Sequence, residues 1–125
     1  MAAIKPNTPQ KAQIPFNTFE KIDLRVARVI EAQLASETRF PCRVLKLDLG
    51  HLGERLSVGQ LALIPEEELV GQNVIVCINL GDRKMGPYVS QALVLGAPHP
   101  ASPEGQAQAI PLYVGQETNP GNQIF

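Results

Sequence analysis

The sequence NVIVCINLGDRKMGPYVSQALVLG, residues 73–96, places two apolar runs on either side of a polar segment that contains two adjacent cations. The run 74–78 is short, continuous and rich in β-branched residues, which predicts a strand buried on both faces. Residues 89–95 predict the return strand. The segment between them, 80–88, is longer than the about two to five residues of an ordinary hairpin connection, so it predicts an exposed binding loop.

Further strands are predicted on both sides of this stretch. Residues 23–34 form the first long strand. Val26 and Val29 lie on its opposite faces by strict alternation, so either both faces are partly covered or a bulge lies near Ala27 and Arg28. Residues 43–49 alternate cleanly, with Leu45, Leu47 and Leu49 facing the core. Shorter strands are predicted at 54–58 and 109–114, and residues 123–125 are expected to pair with a sheet edge.

Two helical turns interrupt the strands. Thr18 is expected to cap a turn at 19–22, which would place Phe19 and Ile22 over one end of a barrel. The segment PEEELVG, residues 65–71, predicts a second turn that begins at a proline and ends at a glycine. The fold class is therefore all-β: a small OB-fold Greek-key barrel of five or six strands with short helical turns.

Length and composition indicate one domain. The 125 residues include eleven prolines and ten glycines, which favour turns and extended segments. Residues 1–15 hold three of these prolines and predict an extended N-terminal arm, and residues 16–125 form the barrel domain. Cys42 and Cys77 lie outside any C-x-x-C pair and are interpreted as small buried hydrophobes.

Charge and motifs exclude several classes of protein. The net charge of −1 is not that of a typical nucleic-acid binder, although no acidic residue occurs between Arg83 and Pro103. No run approaches the roughly 20 apolar residues of a membrane span, and the N-terminus lacks a secretory signal, so a cytoplasmic location is expected. His51 and His99 lack metal-ligand spacing. We expect no catalytic residue, metal or cofactor, and hence no enzyme.

The predicted binding residues cluster around the loop. Amide and hydroxyl side chains can pair with base edges, ribose or peptide backbone, and the two cations can meet phosphates. The candidate set is Asn79, Arg83, Lys84, Met85, Ser90 and Gln91. The alternative is an ordinary solvated hairpin loop whose cations only maintain solubility. Aromatic residues for base stacking are few, with Tyr88 beside the loop and Phe40 as a neighbour.

Four ordered blocks of sequence resemble a known family. They are FEKIDLRVARVIEA, LKLDLG, EELVGQNVIVCINL and RKMGPYVSQALVLG. Together they are similar to the tRNA-binding domain family, which includes the C-terminal domain of methionyl-tRNA synthetases and the endothelial-monocyte-activating polypeptide. The resemblance covers about residues 16–125. Two segments are most similar to the CsaA branch of the family, DLGHLGERLSVGQL and SQALVLG. The resemblance implies an OB-fold homodimer with interface segments near the termini and two ligand sites per dimer.

The resemblance also implies a function. CsaA relatives act as protein-export chaperones that bind unfolded or presecretory polypeptide, whereas other relatives bind tRNA by its structure. Leu93 stands where tRNA-binding relatives carry the Met of a Ser-x-x-Met motif, and Pro87 follows Gly86. These departures and the net charge favour a non-enzymatic polypeptide chaperone, with structure-specific tRNA binding through the same loop as the alternative. A third hypothesis is a dimer whose hairpin engages a protein partner.

Overall fold

A computed structural model describes residues 7–125, which form a mostly β domain with short helices. The helices are α1 (Phe16–Phe19) and α2 (Glu66–Leu69), with a 3₁₀ turn at Gly50–Leu52. The strands are β1 (Leu24–Ala35), β2 (Cys42–Asp48), β3 (Glu54–Gly59), β4 (Asn73–Cys77), β5 (Arg83–Met85), β6 (Tyr88–Ser90), β7 (Leu93–Val94), β8 (Gly96–Pro98), β9 (Ala109–Pro111), β10 (Tyr113–Val114) and β11 (Gln123–Ile124).

The long strand β1 organises the main sheet. The strand order is β10-β4-β1-β2-β3, with β11 also on β1 and β7 also on β4, and all these pairs are antiparallel. Val26 and Val29 are both buried, as the first alternative for this strand predicts, and a bulge also exists, but it lies between Val29 and Glu31 and not near Ala27 and Arg28. The reason is that β1 ends its pairing with β4 at Arg28, while its pairing with β2 continues to Ala35. The pairing of residues 123–124 with a strand is confirmed.

The core lies between the inward face of the main sheet and α2. Leu45, Leu47 and Leu49 are fully buried, as their alternation predicts, and Leu69 of α2 packs with them. Burying each such leucine is worth about 1.5 to 3 kcal/mol relative to exposing it. Arg43 lies on β2 two residues before Leu45, so its side chain also points inward. Its guanidinium donates to the carbonyls of Ala32 and Ile64 at 2.7 and 2.9 Å.

The first helical turn differs from the prediction. It spans Phe16–Phe19 and not 19–22, it starts after Pro15, and no side chain caps it. A proline at this position fixes a backbone angle suited to a helix start, which explains the earlier beginning. Phe19 and Ile22 are both exposed and do not cover the core. Of the predicted arm, residues 1–6 lie outside the described part of the chain, and residues 7–15 are exposed without helix or strand.

The predicted strands in the second half are shorter and more numerous than expected. β4 is confirmed, but the predicted loop 80–88 contains β5, which pairs with β6 in a hairpin of its own. The return strand is divided into β6 and β7, and the predicted strand 109–114 is divided into β9 and β10. The described residues therefore form eleven strands, most of them short, in place of five or six longer ones.

Candidate binding site

An open cavity of about 490 Å³ lies beside the β5–β6 hairpin. Strands β3, β5 and β7 contribute to it, together with the loop that joins β1 to β2. Most of its wall is apolar, formed by Phe40, Cys42, Val58, Leu61, Cys77, Leu80, Met85, Leu93, Val94 and Leu95. A cavity of this size is within the range of a ligand site and can hold one or two large apolar side chains.

Turn geometry fixes the hairpin beside the cavity. Met85 pairs with Tyr88, so Gly86 and Pro87 form a two-residue turn, and Gly86 has a φ of 59°. A Cβ atom at Gly86 would collide with the backbone carbonyl of Glu37, so this turn packs tightly on the β1–β2 loop. The Tyr88 hydroxyl accepts a hydrogen bond from the backbone N–H of Ser36 at 3.3 Å in the same loop.

Three of the predicted site residues, Arg83, Lys84 and Met85, lie together on β5 and line the cavity. Arg83 and Lys84 are exposed, and Met85 is half-buried. Neither cation is in an ion pair with another residue of the range 7–125. These side chains are therefore available to a ligand.

Ser90 and Gln91 also line the cavity, but their polar atoms bind β3. The Ser90 hydroxyl accepts from the backbone N–H of Val58 at 3.0 Å. The Gln91 carboxamide oxygen accepts from the backbone N–H of Leu56 at 3.0 Å. Both side chains thus complete hydrogen bonds at the free edge of β3, which is a structural role.

Asn79 is not part of the cavity wall. Its carboxamide accepts from the backbone N–H of Asp23 at 2.9 Å and donates to the Lys21 carbonyl at 2.7 Å. The side chain thereby connects the end of β4 to the segment that follows α1.

Arg39 and Gln60 are polar lining residues that the predicted site does not include. Arg39 lies on the β1–β2 loop, where its guanidinium is 5.3 Å from the centre of the Phe40 ring. Gln60 follows β3, and its Nε2 is the buried side-chain donor that lacks a hydrogen-bond partner within residues 7–125. Neither position carries a local sequence signal, because the tertiary fold brings them to the hairpin.

The two cysteines of the wall are buried and unpaired. Burial raises the pKa of the Cys42 thiol above its ordinary value, because a thiolate loses hydration there. The Cys42 side chain is therefore neutral at physiological pH and acts as part of the apolar wall.

Neither a metal cluster nor a membrane-spanning helix occurs in the described part of the chain. No group of three or more His, Cys, Asp or Glu residues between positions 7 and 125 is arranged to hold a metal ion. Over the same range, no helix is long and apolar enough to cross a membrane.

The fold and the sequence define a class of protein. The family model described as "Putative tRNA binding domain" matches residues 24–123, and the chain belongs to this tRNA-binding domain family. Among curated relatives, it is 39% identical over 105 residues to methionine–tRNA ligase of Chloroherpeton thalassium and 42% identical over 87 residues to that of Bdellovibrio bacteriovorus. These matches cover 79% and 69% of the chain but only 15% and 12% of the relatives' length.

Solved structures of similar length resemble the whole domain. The chaperone CsaA from Bacillus anthracis has a TM-score of 0.80 at 29% identity, with 91% of this chain and 100% of that chain covered. The MetRS-related protein from Pyrococcus horikoshii has a TM-score of 0.78 at 25% identity, with 92% and 100% covered. The resemblance to the tRNA-binding domain family and to CsaA is thereby confirmed.

Proposed function

We propose that this protein is a non-catalytic, CsaA-like chaperone that binds an extended segment of unfolded or export-bound polypeptide in the cavity beside the β5–β6 hairpin. The observation that carries the proposal is the open cavity itself, because its wall is mostly apolar and can receive side chains that a folded client would bury. The similarity to the CsaA structure supports it.

Polar groups beside the apolar wall suit a polypeptide backbone. Gln60 lines the cavity and its buried Nε2 lacks an acceptor, which a peptide carbonyl would supply after this side chain turns toward the cavity. Among the strands of the described chain, β5 pairs only with β6. An extended segment laid along the other edge of β5 would find backbone groups there with which to pair.

Binding of tRNA is the second candidate. The family membership and the unpaired cations Arg83 and Lys84 favour it, since basic side chains neutralise phosphates. The two candidate functions predict that binding affinity depends differently on salt concentration. Each neutralised phosphate releases counterions, so affinity for RNA falls steeply with salt, whereas apolar capture of a neutral polypeptide does not.

Anisotropy titrations with labelled tRNA and with an unfolded polypeptide of near-zero net charge separate the candidates. At about 50 and 200 mM salt we expect polypeptide binding to change less than about threefold. The double variant Arg83→Glu, Lys84→Glu is expected to abolish any tRNA binding and to spare binding of this neutral polypeptide. Tight tRNA binding with a steep salt slope and no polypeptide binding would refute the chaperone proposal.

We further propose that the chain closes into an OB-type barrel and forms a homodimer. Contacts of β3, at one end of the strand order, with β6 and β7 support closure. Exposed apolar side chains near both termini support a dimer, which would carry two cavities. Free cysteines support a reducing, cytoplasmic location.

A further inference from the structure

The rim of the cavity has a charge opposite to that of the whole chain. Arg39, Arg83 and Lys84 line the cavity, and no aspartate or glutamate lines it. The chain as a whole has a net charge of −1. Positive charge is therefore concentrated at the mouth of an apolar cavity.

These three cations are free to act on a ligand. Within residues 7–125 the ion pairs join Arg25 to Asp23 and Lys46 to Glu54, and neither pair involves the cavity. Arg39 is also positioned by its contact with the Phe40 ring, which keeps a guanidinium beside the apolar wall.

We propose that the cavity selects polypeptide segments in which large apolar side chains are flanked by carboxylates, and discriminates against segments flanked by lysine or arginine. This inference rests on the polypeptide-binding function proposed above. The apolar side chain enters the cavity, while its charged neighbours remain at the solvated rim. Opposite charges attract there and like charges repel, so the rim acts on selectivity more than on total affinity.

The composition of the wall favours a peptide over a nucleic acid as the anionic ligand. Phe40 is the one aromatic residue among the lining residues of the described chain. Base stacking on aromatic side chains is worth about 1 to 3 kcal/mol per base, and a largely aliphatic wall offers little of it. Aliphatic and aromatic side chains of a peptide are better matched to this surface.

A set of three peptides tests the selectivity. Each carries Leu-Phe-Leu in a common Gly-Ser frame, flanked on both sides by Glu, by Gln or by Lys. At low salt we expect the Glu-flanked peptide to bind about threefold to tenfold more tightly than the Gln-flanked peptide, and the Lys-flanked peptide to bind more weakly by a similar factor. Salt near 500 mM should remove most of the difference, because exposed charges are screened there.

Charge-reversal variants assign the effect to the cavity. The double variant Arg83→Glu, Lys84→Glu should invert the order of the three peptides. The double variant Lys11→Glu, Lys21→Glu changes net charge equally at exposed positions outside the cavity wall and should preserve the order. Both variants alter exposed or partly exposed side chains, and circular dichroism verifies their fold.

The outcomes distinguish this inference from the function on which it rests. Equal binding of the three peptides, preference for the Lys-flanked peptide, or an unchanged order in the Arg83→Glu, Lys84→Glu variant would overturn the charge selectivity and leave polypeptide binding intact. Failure of all three peptides to bind, with tight binding of tRNA, would overturn the proposed function and the selectivity together.

Discussion

Two asparagines of the 73–96 stretch have different structural roles. Asn73 is completely buried, and its carboxamide donates to the carbonyls of Gly115 and Thr118 and accepts from the Arg28 side chain. Asn79 is exposed; it makes two hydrogen bonds to the segment before β1 and accepts a third from the Cys77 thiol. Because an unpaired group costs most where water cannot replace the lost partner, the two side chains should differ in their effect on stability.

The Asn73→Ala variant should lower the free energy of unfolding by about 2 to 4 kcal/mol, because it removes the three hydrogen bonds of a completely buried side chain and leaves a cavity in its place. Asn79→Ala is the matched control and should cost about 0.5 to 1.5 kcal/mol, since water reaches its partners. Urea unfolding followed by circular dichroism measures both values. Equal losses in the two variants would contradict the structural role assigned to Asn73.

At the level of elements, the sequence predicts most strands but not how they divide. The alternation of Leu45, Leu47 and Leu49 and the β-branched run of β4 are local signals, and both strands form where they predict. The division between β6 and β7 has no such signal. It occurs where Ser90 and Gln91 bind the edge of β3, which is distant in sequence.

The β5–β6 hairpin shows that the sequence also predicts only part of the candidate binding site. Residues 80–88 exceed an ordinary hairpin connection and therefore suggested a loop, yet Gly86 and Pro87 close a tight turn within them. Arg83, Lys84 and Met85 are predictable as residues of the candidate site because they lie in the polar segment that contains this turn, and they line the cavity. Arg39 and Gln60 are not, since they reach the cavity only through the packing of the β1–β2 loop and β3.

At the scale of the whole molecule, the termini form a candidate dimer face. The pairing of β11 with β1 places Phe125 next to the segment that follows α1, and Phe125 is fully exposed. Phe16 and Phe19 of α1 are exposed as well, with ring centres 6.2 Å apart. A second copy of the chain would bury these side chains, as the family resemblance implies.

Sedimentation velocity tests this dimer. The wild-type chain should sediment as a dimer, and Phe16→Glu should shift it toward monomer, because a carboxylate cannot be buried unpaired at an apolar interface. Leu34→Glu is the matched control, since Leu34 is exposed to a similar degree, 65% against 72% for Phe16, but lies away from both termini. A monomeric wild-type chain, or equal dissociation in both variants, would rule out the terminal interface.

The central claim is that the cavity binds unfolded polypeptide, and one comparison of two leucines tests it directly. Leu93 lines the cavity and Leu63 does not, yet they are 39% and 40% exposed. In anisotropy titrations with an unfolded polypeptide, Leu93→Asp should weaken binding about tenfold or more, since it places a charge on an apolar contact surface, whereas Leu63→Asp should leave the affinity unchanged. Equal affinities of the Leu93→Asp variant and the wild-type protein, with both folded, would contradict the claim.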